Sequence, residues 1–129
     1  MPVIVSVDRE HRLASRVYSG VVTSSDLLDS LKQYPTLPGF ESTFNELMDF
    51  RNAESVVAPA EDIQRCAHSP APFSAETKRV IVAPRELIYG LARMYQILGE
   101  DVHPNVSVVK TMEEARKILG EAAGVPSEG

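Results

Sequence analysis

Short apolar runs alternate with stretches of helical periodicity along this chain, and the pattern predicts the order of its elements. The polar connection between the first two runs, residues 3–7 and 13–20, is too short for a crossover, so these strands are expected to pair antiparallel. Later apolar runs predict strands at 44–51, 80–83 and 106–109, separated by helical segments. The predicted order is β-β-α-β-α-β-α-β-α.

Alternation of strands and helices after an opening hairpin is typical of an α/β layer structure. We expect a mixed sheet of about five strands, the first two antiparallel and the rest parallel, flanked by about four helices. Residues 1–120 are expected to form a single domain, and the small, polar residues 121–129 a flexible C-terminal tail.

The helix predicted at 85–98 is apolar on nearly every side, which is unusual for a helix that covers only one face of a sheet. The residues expected to face the sheet are Leu87, Leu91, Met94 and Leu98, with Ile88, Ala92 and Tyr95 widening that stripe. The residues then left near the margin or on the outer side are Tyr89, Gly90, Arg93 and Ile97. Exposed apolar patches mark contact surfaces, so this helix is predicted to mediate a homodimer.

Two glycines of this segment have predicted roles. Gly99 follows the last helical residue and is expected to be a left-handed cap. Gly90 lies inside the helix, where glycine costs about 1 kcal/mol relative to alanine. It therefore either permits close approach of another backbone or ligand, or is simply tolerated.

Composition narrows the classes of partner and compartment. The 129 residues carry a formal net charge of −5 with no basic stripe, which argues against nucleic acid as a partner. The single cysteine excludes an internal disulfide and favours a reducing compartment. No apolar run is long enough for a transmembrane segment, and the amino terminus does not resemble a signal peptide, so a cytoplasmic location is expected.

One candidate binding site follows from strand polarity. Asp49 and Arg51 are expected at the carboxyl end of a parallel strand, where open α/β sheets form ligand crevices. With Tyr18, Tyr89 and Arg93 they are candidates to line a site for an anion or small molecule. The alternative is that Asp49 pairs locally with an arginine and has a structural role.

The sequence offers no pattern for a metal, a cofactor or covalent catalysis. Cys66 and His68 are two residues apart on a helix and point to different faces, and the other two histidines are far apart in sequence. No glycine-rich loop that would hold phosphates is present. We therefore expect no metal, no cofactor and no enzymatic activity.

Three phrases of the chain are similar to one known group of proteins. The phrases are Tyr18-Ser-Gly20 followed by Val22-Thr23, then Leu47-Met-Asp-Phe-Arg51, and Tyr89-Gly-Leu-Ala-Arg-Met-Tyr95. With the order of elements, they make the chain resemble the bacterial SpoIIAA-like proteins, also called STAS/SEC14-domain proteins, over nearly its whole length. The resemblance implies a small mixed sheet flanked by helices, in a family that is mostly functionally uncharacterised.

The relatives of that family imply two possible activities. In anti-sigma-factor antagonists, phosphorylation of a serine in an Asp-Ser-Ser-Gly phrase, at the start of the helix after the third strand, acts as a switch. Here that position reads Ala58-Pro-Ala-Glu-Asp-Ile63, and Ser55 is the only candidate in the preceding loop, so no phosphorylation switch is expected. The lipid-exchanging SEC14 type needs a larger apolar cavity than 129 residues readily provide.

Three functions remain open from the sequence. The first is a non-enzymatic interaction or regulatory module that self-associates or docks a protein partner through the 85–98 helix. The second is a small binder of lipid or another apolar ligand, favoured by the aromatic and methionine content around Phe44, Met48, Phe50, Tyr89 and Met94. The remote third is an enzyme that uses Asp49 or Arg51.

Overall fold

In the computed structural model, which describes residues 2–120, the chain forms a five-stranded mixed sheet in the order β1-β2-β3-β4-β5. The strands are β1 Val3–Asp8, β2 Leu13–Thr23, β3 Asn45–Val57, β4 Arg79–Val82 and β5 Val106–Val109. The first two pair antiparallel and all other neighbours pair parallel. The predicted fold class and the opening hairpin are confirmed, while the predicted tail at 121–129 lies outside the described residues.

Helices α1 to α4 and one 3-10 turn connect and flank the strands. They are α1 Ser24–Leu31, a 3-10 helix Tyr34–Thr36, α2 Ala60–His68, α3 Glu86–Leu98 and α4 Met112–Leu119. The first begins at a capping box, because the Thr23 hydroxyl accepts from the Asp26 amide and the Asp26 carboxylate accepts from the Thr23 amide. The last begins similarly, with the Thr111 hydroxyl accepting from the Glu114 amide.

Both faces of the sheet contain buried side chains. Because alternate residues of a strand point to opposite faces, Met48 and Phe50 of β3 point one way and Leu47 the other. The first face packs against side chains of α1, α2 and α3. The second face packs against α4, whose buried residues are Met112, Ala115 and Leu119.

Strands β2 and β3 extend beyond their predicted ends. The sequence predicts that β2 ends at Gly20, but two register shifts allow it to continue to Thr23 beside β3. Gly20 has a φ of 64°, a left-handed conformation that glycine adopts without strain, so it belongs to a bulge and not to a strand end. As a consequence Ser55 lies inside β3, opposite Val21, and not in the predicted loop.

Helix α3 is rotated relative to the predicted orientation. Its buried residues are Ile88 and Ala92, whereas Leu87 is 85% exposed and Leu98 is 37% exposed. The expected inward stripe is therefore wrong at Leu87 and Leu98. A helix that is apolar on most sides has no single preferred inner face, so its rotation depends on packing against β3, β5 and α2.

In this segment Gly99, and not Gly90, is the glycine that lies close to another backbone. Gly99 has a φ of −98° and is not left-handed. It is buried against α2, where an added Cβ would lie 2.9 Å from the carbonyl oxygen of Ala67. An added Cβ at Gly90 would meet nothing within 4 Å, so the close approach occurs at Gly99 and not at Gly90 within this chain.

Candidate functional site

A cavity of about 430 Å³ lies between the sheet and helices α1, α2 and α3. Its floor is formed by side chains of β2, β3 and β4, all on the first face of the sheet: Arg16, Tyr18, Met48, Phe50 and Ile81. This space, which is open at one side, is much larger than the water-sized voids of a well-packed interior.

Apolar residues at helical spacing form the walls of the cavity. Leu27, Leu28 and Leu31 come from α1, Ile63 and Cys66 from α2, and Ile88, Leu91, Ala92 and Tyr95 from α3. The lining residues that are most exposed are Lys32, Pro35 and Pro70. They place the opening between the end of α1 and the loop that follows α2.

A buried charge cluster lies under one end of the cavity. The Nε of Arg16 donates to Glu46 Oε2 at 2.8 Å, and the Nε of Arg79 donates to Glu46 Oε1 at 2.9 Å. The hydroxyl of Tyr34 also donates to Glu46 Oε2, at 2.7 Å. All three charged side chains are at most 5% exposed. Register brings them together, because Glu46 of β3 lies directly opposite Arg79 of β4.

Burial and ion pairing act in opposite directions on the Glu46 carboxyl. Burial by itself raises the pKa of Glu46, but Arg16 and Arg79 lower it, and the net pKa lies below the ordinary value. Burial likewise disfavours the charged form of Arg16, yet Glu46 raises its pKa well above the ordinary value. All three groups are therefore charged at neutral pH, and two cations against one carboxylate leave the cluster with one excess positive charge.

Arg16 links this cluster to the cavity. Its Nη1 donates to Ser30 Oγ at 3.1 Å and to the Leu27 carbonyl at 3.4 Å, while its Nη2 donates to the sulfur of Met48 at 3.0 Å. A thioether is a weak acceptor. The Nη2 of Arg16, at the cavity floor, is consequently the most poorly satisfied donor of this guanidinium.

Arg79 is also incompletely satisfied. Its Nη1 and Nη2 are buried without a hydrogen-bond partner among the described residues. The ring of Phe73 lies 5.3 Å from its guanidinium carbon. The residue lines a small polar pocket of about 20 Å³, together with His103 and Asn105, which has room for a single water-sized molecule.

The structure separates the residues predicted to form one site. Tyr18 is fully buried and lines the cavity. Its hydroxyl oxygen is 3.2 Å from Ser30 Oγ, and its ring stacks on Phe50. Asp49 and Arg51 point to the opposite face of β3 and pair with each other, with Nη2 of Arg51 3.0 Å from Asp49 Oδ2. The local structural pairing that the sequence left open as the alternative is what the geometry shows.

The four predicted contact residues of α3 do not line the cavity. Gly90, Arg93 and Ile97 are exposed, as expected, and Arg93 donates to Gln96. Tyr89 is partly buried against the core of the first sheet face, and the Nζ of Lys110 lies 4.9 Å from its ring centre. These residues form an outer surface, distinct from the cavity.

Sequence reasoning missed Arg16, Glu46 and Arg79. Each is a charged residue within a strand, at a position whose neighbours two residues away are buried on the first sheet face. Charged residues are almost never fully buried unless they are paired. The signal was available as two unexplained charges in predicted strands, Arg16 and Glu46, and a third, Arg79, directly before one, but their pairing depends on strand register.

Three further features of the described residues concern metal binding, the reactivity of a cysteine and the spanning of a membrane. No group of three histidine, cysteine, aspartate or glutamate side chains is arranged to hold a metal ion in residues 2–120. Burial raises the pKa of the Cys66 thiol, which opposes formation of the thiolate at neutral pH. Within the same residues, no helix is both long and apolar enough to cross a membrane.

Comparison with known proteins does not suggest a function for this site. No family model matches the chain, and no curated protein matches it. The cavity, the charged cluster beneath it and the outer surface of α3 are the features of the molecule that bear on its function.

Proposed function

We propose that this protein binds a small apolar molecule in the cavity between the sheet and helices α1, α2 and α3. The observation that carries the proposal is the cavity itself, whose volume of about 430 Å³ falls within the range of about 300–1,000 Å³ found for ligand pockets. Its lining is mostly apolar with a few polar groups, among them Arg16 and Tyr18 on the floor and Lys32 at the opening, which is the usual arrangement of a site for a small molecule.

The size of the cavity limits the ligand. A cavity of about 150 Å³ accommodates benzene, so by proportion a cavity of about 430 Å³ accommodates roughly fifteen non-hydrogen atoms. That corresponds to one short alkyl chain or a compact ring system and excludes a complete two-chain phospholipid. The resemblance to proteins with SEC14-type relatives is in keeping with an apolar ligand of this kind.

Filling the cavity tests this proposal. The neutral dye N-phenyl-1-naphthylamine, whose fluorescence increases in apolar surroundings, is titrated into wild-type protein and into Ala92→Phe. Ala92 lines the cavity and is 7% exposed, so the added ring occupies the space where the dye would bind. We expect saturable binding to the wild type and at least about a tenfold loss of affinity in the variant, since the ring removes both contacts and volume.

The matched control lies on the outer surface of the same helix. Gly90→Ala adds a methyl group that meets nothing within 4 Å, so its dye affinity should equal that of the wild type. Circular dichroism confirms that each variant is folded. Absence of saturable binding to the wild type, or unchanged binding to Ala92→Phe, contradicts the proposal.

A second candidate function is self-association through α3. It is supported by the exposed apolar side chains of Leu87 and Ile97, which are 85% and 59% exposed and lie on the same side of the helix as Gly90. Two-fold association is the commonest way for a soluble protein to bury such a patch. This surface and the cavity are separate, so the two functions are compatible.

A further inference from the structure

We infer that the ligand of this cavity carries an anionic head, a carboxylate, which binds the guanidinium of Arg16 on the cavity floor while the apolar part fills the space under α1 and α3. The inference rests on the proposed function and specifies the chemical class of its ligand.

The charges that line the cavity all have one sign. Among the described lining residues the only charged groups are Arg16 on the floor and Lys32 at the opening, and no aspartate or glutamate lines the space. An apolar site with cationic groups and no carboxylate favours an anionic ligand over a neutral or cationic one, because electrostatic complementarity selects among partners of similar shape.

The buried cluster lacks one negative charge. Arg16 and Arg79 share the single carboxylate of Glu46, and an uncompensated charge in a protein interior is costly. A ligand carboxylate bound to Arg16 would give the cluster two carboxylates for its two guanidiniums, so that its net charge becomes zero. The site is already built, since the Nε–Glu46 and Nη1–Ser30 bonds hold Arg16 in place.

The weak acceptor of one Arg16 donor also favours an anionic ligand. Its Nη2 has the Met48 sulfur as acceptor among the described residues, and both side chains line the cavity. A carboxylate oxygen is a far stronger acceptor for a guanidinium than a thioether. Replacing that contact by a charge-assisted hydrogen bond is therefore a net gain for an anionic ligand.

Lys32 is the weaker of the two cationic positions. It is exposed, and ion pairs made by exposed lysines contribute little because water and salt screen them. Arg16 is 4% exposed and fixed by its neighbours, so it loses little conformational freedom when it binds an anion. We therefore assign the head group to the floor and the apolar chain to the walls.

Two ligands of matched chain length test the inference on the wild-type protein. Dodecanoate and 1-dodecanol are titrated separately by isothermal calorimetry, below the concentrations at which either self-associates. We expect dodecanoate to bind at least about tenfold more tightly, because hydrogen bonds to charged groups are roughly twice as strong as neutral ones. Equal binding, or tighter binding of dodecanol, overturns the anionic head but leaves the apolar binding site in place. Binding of neither ligand overturns both.

Variants then locate the head group. Lys32→Gln should leave the dodecanoate affinity within about twofold, because this exposed charge is screened. Arg16→Lys keeps the positive charge but loses the planar donors, so it should weaken dodecanoate by about tenfold and dodecanol by much less. A large loss in Lys32→Gln with an unaffected Arg16→Lys places the head group at the opening and overturns the assignment. If Arg16→Lys does not fold, the wild-type comparison and Lys32→Gln still decide it.

Discussion

Position 46 places a carboxylate, together with Arg16 and Arg79, on a sheet face whose other buried residues are mostly apolar and pack against three helices. Glu46 is fully buried and accepts hydrogen bonds from Arg16, Tyr34 and Arg79. Such a residue holds β2, β3, β4 and the 3-10 turn in one arrangement. Removing its charge would leave two buried guanidiniums without a counter-ion, which is the costly way to disrupt a buried ion pair.

The substitution Glu46→Gln should therefore destabilise the protein strongly. We expect a decrease in the free energy of unfolding of about 3–5 kcal/mol, measured by urea denaturation at neutral pH. Glu54→Gln in the same strand is the matched control, because Glu54 is exposed and its change should stay within about 0.5 kcal/mol. Equal stability of the two variants would show that the cluster contributes no net stabilisation.

At the scale of elements, the two sides of α3 differ in burial. Ile88 and Ala92 face the sheet and the cavity, whereas Leu87, Gly90 and Ile97 face outward. Gly99 then allows the end of the helix to pack closely against Ala67 of α2. The rotation of this one helix thus determines both the cavity wall and the exposed apolar surface.

A charge on the outer side of α3 tests self-association. If the wild type is a dimer through this surface, Gly90→Glu should shift the mass measured by light scattering towards the monomer, since it buries an unpaired carboxylate at the interface. Val57→Glu is the control, because Val57 is an apolar residue with 60% exposure at the end of β3. A wild type that remains monomeric at high concentration rules out the dimer.

At the scale of the whole molecule, acid should weaken the fold through Glu46. The pKa of this carboxyl is lower in the folded protein than its ordinary value of 4.5, so the unfolded chain binds the proton more readily. The stabilisation by Glu46 is therefore complete above pH 4.5 and is lost as the pH falls through the lower pKa of the folded state.

Calorimetry of the wild type and of Glu46→Gln at constant ionic strength measures this effect. The melting temperature of the wild type should fall as the pH decreases from about 6 to about 3, and the variant, which lacks the titrating group, should show a weaker dependence. Identical pH dependence in the two proteins would assign the acid sensitivity to other carboxyls.

The order of the elements was predictable because it depends on short-range signals. The hairpin follows from the short connection after Asp8, and α1 from the capping box of Thr23 with Asp26. The end of β2 was not predictable in the same way, because Gly20 serves equally as a strand end or as a bulge. Only pairing with β3 distinguishes the two.

The candidate site was much less accessible from the sequence than the fold. Asp49 and Arg51 were candidates for a binding site because of their place on a strand, yet their parity directs them to the face opposite the cavity. Of the residues predicted to form that site, Tyr18 alone lines the cavity, and Met48 and Phe50, which were named for a binder of an apolar ligand, line it as well. The wall residues contributed by three helices look like ordinary core positions, because a sequence does not show where packing leaves a space.

The sequence by itself determined the α/β class and the order of strands and helices, since hydrophobic periodicity acts within a few residues. Tertiary structure alone decided the cavity, the rotation of α3 and the cluster in which Arg16 and Arg79 meet Glu46 across 30 and 33 residues of chain. The physical reason is that a buried charge needs a partner at hydrogen-bond distance. Strand register and helix packing, which are long-range properties, determine which side chain that partner is.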